Sequence, residues 1–549
     1  MLTTRQITNH DEGQTNMLLD HEMTLSRERP SQDETQNASR RTFLKAAATV
    51  SAACFPNLVD HRRVRAESSQ DELAYIDASE AIRRFKAGEL SPVDLLKTQI
   101  ARIERYNPQI NCITHRHFEQ ALKAAELSEK RYREGIPRPL EGIPVAIKDE
   151  NEVEGWQVTM GSLLLKDAEP SEEDAPIIDF LKKSGAVLHI QTTVPEFYLG
   201  PHTATRLWGV TRNPWNPEFT PGGSSGGSGA ALAAGFATLA TGSDMGGSIR
   251  IPSAQCGLYG FKPPFQRVAT SETSYESLGP MARNLTDMLL MQNVISGPHP
   301  HAHSSLRPKL DYPLEYAPPS GMRVVVDHAR GIGPSDSEVD QSMQVTISRL
   351  KALGCEVVVK DLQFKYQGDF PIWAKGLLST SLGMMIQAAA ERPDDITPYV
   401  REFVNKFQGE LGPRQIGEAE QLQSQYQHRI QDEVFTAGFD AIVMPTMLTP
   451  FVPADWYTTQ EKHFVYLNGK KQKNTWAFMA TWIWNMLGRY PVMNMPVQVG
   501  KENMPLGIQI IGNTFDDLTC MRLAAGLEKL TPPLFAGNLK PALDDIKVR

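Results

Sequence analysis

Cysteine is scarce in this chain: there are five in 549 residues, at positions 54, 112, 256, 355 and 520. None belongs to a CxxC pair and the intervals are long, so neither a disulfide framework nor a cysteine-held zinc site is expected. Long apolar runs are missing as well. None reaches the roughly 20 residues needed to cross a bilayer, so no membrane span is expected. An excess of positive charge is also lacking: the formal net charge is −8, which argues against a nucleic-acid surface. The chain has no internal repeat, which excludes solenoids and propellers. The rest is ordinary globular composition, 41% hydrophobic and 22% charged, with enough length for a large core.

Residues 1 to about 38 are polar and acidic without periodicity, a pattern that predicts disorder. Ser39-Arg40-Arg41-Thr42-Phe43-Leu44-Lys45 and the alanine-rich stretch after it resemble a twin-arginine export signal. Val64-Arg65-Ala66 offers small or apolar residues to a signal peptidase. On this reading residues 1–66 are a disordered N-terminus plus signal, 67–549 are a single domain, and the protein is periplasmic or secreted. The competing reading is a basic patch before an ordinary alanine helix in a cytoplasmic protein.

Within 67–549, Ser91 and Pro92 predict a capped helix start, and Asn107-Pro108 its end. A second helix is expected over 117–133. Gly142 to Lys148 reads as a buried strand with a lysine at its tip. A helix over 175–185 and a strand over 186–192 complete a βαβ unit, which implies parallel pairing. Strands at 322–326 and 355–359 flank a helix at 337–353, and 370–430 is mostly helical. The expected fold is α/β: a large mixed, mostly parallel sheet covered by helices on both faces.

Residues 222–229 are five glycines and three serines. So few side chains cannot make core; they make a tight turn that presents hydroxyls and backbone N–H groups. A helix over 230–235 and a buried strand over 236–241 should follow. They lead to a second glycine turn carrying Asp244, Ser248 and Arg250. Two serine-bearing turns around one helix–strand unit suit a nucleophile in one turn and an activating partner in the other. Gly223-Ser224-Ser225-Gly226-Gly227 also satisfies GxSxG, but that elbow needs a strand entering it, and 216–221 is a turn. A Ser-His-Asp arrangement would need a late histidine, and His463 is the only candidate. The alternating histidines 299, 301 and 303 read as a solvated loop, with no carboxylate nearby, rather than a metal site.

Pro221 to Pro263, with GGSSGGSGAA and GSDMGGSIRIPSAQCGLYGFKPP, resembles the signature of the amidase signature family. GIPVAIKD at 142–149 and RNPWN at 212–216 resemble it too. The resemblance implies Lys148 as base, Ser224 as a bridging serine in a cis peptide, and Ser248 as nucleophile. It further implies an oxyanion hole from the backbone N–H groups of Met245, Gly246, Gly247 and Ser248. Ser225, Asp244 and Arg250 would be supporting residues, and neither cofactor nor metal is implied. The substrate would be a small-molecule amide. The base must be uncharged, and burial disfavours an ammonium. Gln255, Tyr259, Phe261 and Pro264 depart from the family pattern at positions that shape packing and pocket, which puts the substrate in doubt and not the triad. Segments 160–165, 196–206 and 370–390 are the expected pocket walls, with Tyr198, Trp373 and Met384 hinting at an apolar or aromatic acyl group. The alternatives are a catalytically silent binding protein and a glutamine-dependent amidotransferase A-type subunit. A homodimer stays open.

Overall fold

Apolar runs that alternate between two partners build the centre of the protein. In the computed structural model, which describes residues 69–270, 273–407, 409–455, 465–472, 476, 478–537 and 539–546, eleven strands join in one sheet. In chain order they are β1 (Ile113–Arg116), β2 (Pro144–Lys148), β3 (Val187–Thr192), β4 (Leu239–Asp244), β5 (Tyr259–Lys262), β6 (Ser277–Ala282), β7 (Arg323–Val326), β8 (Glu356–Val359), β9 (Ala441–Pro445), β10 (Val492–Val499) and β11 (Pro505–Gly512). Their spatial order is β1-β3-β2-β4-β6-β5-β10-β11-β9-β7-β8. Arg40-Arg41, Val64-Arg65-Ala66 and His463 lie outside the described residues, as does the side chain of Met384.

The sheet is buried on both faces, as the period-2 geometry of strands requires of doubly apolar runs. Val145 and Ile147 pack into one core cluster, while Ala146 between them packs into another. Val324 and Val326 are divided from Val325 in the same way, and Ile510 from Ile511. The mixed sheet is therefore as expected, but its predominant direction is not. Six of the ten neighbouring pairs are antiparallel and four are parallel. The βαβ unit around Lys148 does pair in parallel. Short returns elsewhere, such as residues 500–504 between β10 and β11, can only make antiparallel neighbours.

Two local expectations need correction. The helix Pro92–Ile110 runs past Asn107-Pro108 and stops at Asn111, which adopts a left-handed φ of 56°. The helix after the first glycine turn starts at Gly226, inside the glycine run, and spans Gly226–Ala233. Close approach is the reason. A Cβ on Gly227 would lie 2.4 Å from the Thr193 nitrogen, and one on Gly226 2.1 Å from Thr203 Oγ1. These glycines let a helix press against neighbouring backbone, where any larger residue would collide.

Candidate active site

Parallel pairing is what assembles the site. β2 lies beside β4 with Val145 opposite Leu239 and Ala146 opposite Ala240. Two further residues along β2 and three along β4 bring Lys148 and Ser243 to the same edge, where the Lys148 N–H donates to Thr241 Oγ1 at 3.0 Å. The Lys148 side chain is fully buried. Its Nζ lies 2.9 Å from Ser224 Oγ and 2.6 Å from Ser243 Oγ. The Tyr198 ring faces the same nitrogen at 4.9 Å, and the Gly223–Ser224 peptide is cis. Only glycine fits at position 223: a Cβ would fall 2.6 Å from the Gly200 carbonyl oxygen and 2.7 Å from the His202 nitrogen.

Glu150 is the residue that sequence reasoning missed at this centre. The chain turns after Lys148, and the Glu150 N–H donates back to the Lys148 carbonyl at 2.6 Å. This carries the Glu150 carboxylate to 2.6 Å from Lys148 Nζ, where it also accepts from Ser243 Oγ at 2.7 Å. The signal was present: a carboxylate two positions beyond a buried lysine. Between them, Asp149 points elsewhere. Its Oδ1 accepts from the Thr159 N–H and from Gln191 Nε2, both at 2.9 Å, and burial pushes its carboxyl up to about 6.

Ser248 sits in the second turn, half-buried. Its carbonyl accepts the Ser225 N–H at 3.2 Å, which ties the two glycine turns together. Asp244 and Arg250 hold this turn. Asp244 accepts from Arg250 Nε and Nη2, each at 2.8 Å. The other guanidinium donors go to the Thr481 carbonyl at 3.0 Å, Gln509 Oε1 at 2.8 Å and Asn485 Oδ1 at 2.7 Å. All five N–H groups of Arg250 are thus committed inside the protein and the residue is fully buried. It supports the turn, and no donor is left for a substrate carboxylate. Burial alone would raise the Asp244 carboxyl; Arg250 and Asn485 outweigh that and hold it below its usual range. Thr481, Asn485 and Gln509 carried no sequence signal for this clamp.

One expected oxyanion donor is corrected. The Gly247 N–H donates to Asp244 Oδ1 at 2.8 Å, so it is committed to holding the turn. None of the hydrogen bonds described for the turn uses the N–H of Met245, Gly246 or Ser248. Ser225 and Ser228 are structural: Ser225 Oγ bonds the Ser243 backbone at 3.4 Å and Ser228 Oγ meets Thr192 Oγ1 at 2.9 Å. The histidine loop also differs from expectation, because a carboxylate is near after all: His299 Nε2 meets Asp179 Oδ2 at 3.1 Å. Among the described residues no group of three or more His, Cys, Asp or Glu side chains could hold a metal.

An apolar pocket opens beside Ser248, Gly223 and Gly246, walled by Tyr198, Ile251, Trp373, Leu377, Phe403 and Trp476 among others. No charged side chain lines it among the described residues. The ring edge of Trp373, at Cη2, lies 3.4 Å from where a Cβ on Gly246 would stand. Segments 196–206 and 370–390 contribute walls as expected. Segment 160–165 does not: Met160, Leu164 and Leu165 pack behind, against the cluster of Phe197, Leu199 and Leu378.

A helix-covered mixed sheet that carries a buried lysine, a cis-bonded serine and a glycine-turn serine is the architecture of an amidase. The chain belongs to the amidase family, whose model matches residues 94–521. It is 31% identical over 490 residues to the A subunit of the glutamyl-tRNA(Gln) amidotransferase of Carboxydothermus hydrogenoformans, covering 84% of this chain and 98% of the relative. Among solved structures it is similar to a bacterial aryl acylamidase of the amidase signature enzymes, with a TM-score of 0.77 and 25% identity over 84% of this chain and 97% of that one. It is also similar to 6-aminohexanoate cyclic dimer hydrolase, with a TM-score of 0.75 and 25% identity over 86% and 99% of the two chains.

Proposed function

We propose that this amidase hydrolyses the C–N bond of uncharged amides with an apolar acyl or aryl part, through an acyl-enzyme on Ser248. An amide is a weak electrophile with a poor leaving group, so cleavage needs a nucleophile, a base that later serves as acid, and donors for the oxyanion. In this reading the Lys148 amine takes a proton by way of Ser224 from Ser248. Ser248 Oγ bonds to the carbonyl carbon, and the developing oxyanion faces the free N–H groups of the 245–248 turn. The proton returns to the leaving nitrogen as the C–N bond breaks, and water then hydrolyses the ester. The observation that carries the reading is the 2.9 Å contact between a fully buried lysine amine and Ser224 Oγ, one hydrogen bond from the turn that bears Ser248.

The pocket supports the substrate class. Its rings and aliphatic groups favour an apolar acyl part, and the kinship to an aryl acylamidase is in keeping with that. The kinship to a glutamyl-tRNA(Gln) amidotransferase favours glutamine as a second reading, but no charge in the described wall would meet glutamine's ammonium and carboxylate. The test is a panel of aryl amides, aliphatic amides and glutamine, with Ser248→Ala as control. Hydrolysis of anilides or apolar amides that is lost in the variant is the expected result. Release of ammonia from glutamine alone would overturn the substrate reading.

A further inference from the structure

We infer that Glu150 is a positioning residue that holds the proton Lys148 must give up before it can act as a base. The inference rests on the triad reading above. A base in the relay has to present a lone pair to Ser224, yet Lys148 Nζ lies 2.6 Å from the Glu150 carboxylate. A carboxylate at that distance favours the charged form of an amine. Burial makes the arrangement costly for a separated charge, with Lys148 fully buried and the Glu150 side chain 15% exposed. Within that pair, one proton can move across a single hydrogen bond without either group exchanging with solvent. Ser243 completes the triangle, 2.6 Å from Lys148 Nζ and 2.7 Å from Glu150 Oε2. It keeps the carboxylate oriented whichever partner holds the proton.

The ammonium of Lys148 first passes a proton to Glu150, leaving a neutral amine and a carboxylic acid. The amine takes the Ser224 hydroxyl proton while Ser224 takes that of Ser248, and Ser248 Oγ bonds to the carbonyl carbon, whose π pair moves to oxygen. When the tetrahedral centre collapses, the C–N bond breaks. The leaving nitrogen receives the proton back through Ser224 from Lys148, and Glu150 returns its own proton to Lys148. The titratable groups facing this pair among the described residues are Asp149, whose carboxyl is turned to Thr159 and Gln191, and Tyr198, whose ring covers Lys148 Nζ. Neither lies between the two groups.

The consequence is a pH profile. In the wild type one proton shared across the 2.6 Å contact serves the pair, so activating Ser248 requires no proton exchange with solvent. Glu150→Gln keeps the shape and can still accept from Ser243, but cannot hold the proton, so Lys148 must then lose its proton to solvent. The readout is the second-order rate of Ser248 labelling by a fluorophosphonate, followed from pH 5 to 10. Glu150→Gln is expected to move the acidic limb to higher pH by a unit or more, with tenfold slower labelling at neutral pH and recovery toward the wild-type rate at the alkaline end. Glu150→Asp should keep the wild-type limb with a lower plateau, and it remains decisive if the glutamine variant does not fold. An unmoved or lowered limb in Glu150→Gln, or a raised limb in folded Glu150→Asp, overturns the inference. If the wild type is not labelled at Ser248 at all, the triad reading falls and the role of Glu150 with it.

Discussion

Arg250 and Asp244 show how a buried ion pair fixes a reactive turn. The five guanidinium donors of Arg250 are shared among Asp244, Thr481, Asn485 and Gln509, so truncating the fork strands several buried acceptors at once. Arg250→Lys retains the charge but not the planar geometry. It is expected to lower unfolding free energy by about 3–5 kcal/mol, as breaking a buried pair does, and to slow Ser248 labelling. Urea unfolding measures the first effect, and a loss below about 1 kcal/mol would contradict the role assigned to the clamp. At this scale the sequence was legible where placement is local to a motif: the Lys148 amine meets Ser224, and the peptide before Ser224 is cis, as the resemblance implied. It was not legible for Asn485 and Gln509, which meet Arg250 across 235 and 259 positions. Glu150 was readable in principle, but only the turn after Lys148 shows that its carboxylate folds back onto the amine.

Among the elements, the helix Gly226–Ala233 carries the clearest expectation. Its glycines serve close packing, since Gly227 is pressed against the Thr193 backbone. Gly227→Ala places a methyl where only backbone could yield, and is expected to destabilise by about 1–3 kcal/mol or more. Gly417, at an exposed position of the helix Pro413–Ile430, has nothing within 4 Å of a would-be Cβ. Gly417→Ala should instead stabilise by roughly 0.5–1 kcal/mol through helix propensity alone. Thermal unfolding of the two variants, side by side, checks the opposite signs. The sequence placed this helix four residues late because glycine weighs against helix in any propensity argument. It placed the helix expected over 337–353, observed as Ser337–Ala352, because nothing tertiary opposed its pattern.

For the whole molecule, the mixed, doubly covered sheet followed from the alternation of apolar runs, while its strand directions depended on connections that periodicity does not encode. The proposed export signal belongs to this scale too. Replacing Arg40 and Arg41 together by lysine should leave the protein in the cytoplasmic fraction of a host with a twin-arginine pathway, while the unaltered chain is exported. Equal fractionation of the two would contradict the proposal. The proposed chemistry depends throughout on Ser248 being the attacking group, with Lys148 acting on it through Ser224. Peptide mapping of the fluorophosphonate adduct asks that directly. The phosphonyl group is expected on Ser248, absent in Ser248→Ala and at least about 100-fold slower to form in Lys148→Met, by analogy with the loss of a general base. An adduct on Ser224 or on any residue outside the two turns, or a Lys148→Met rate equal to wild type, would contradict it.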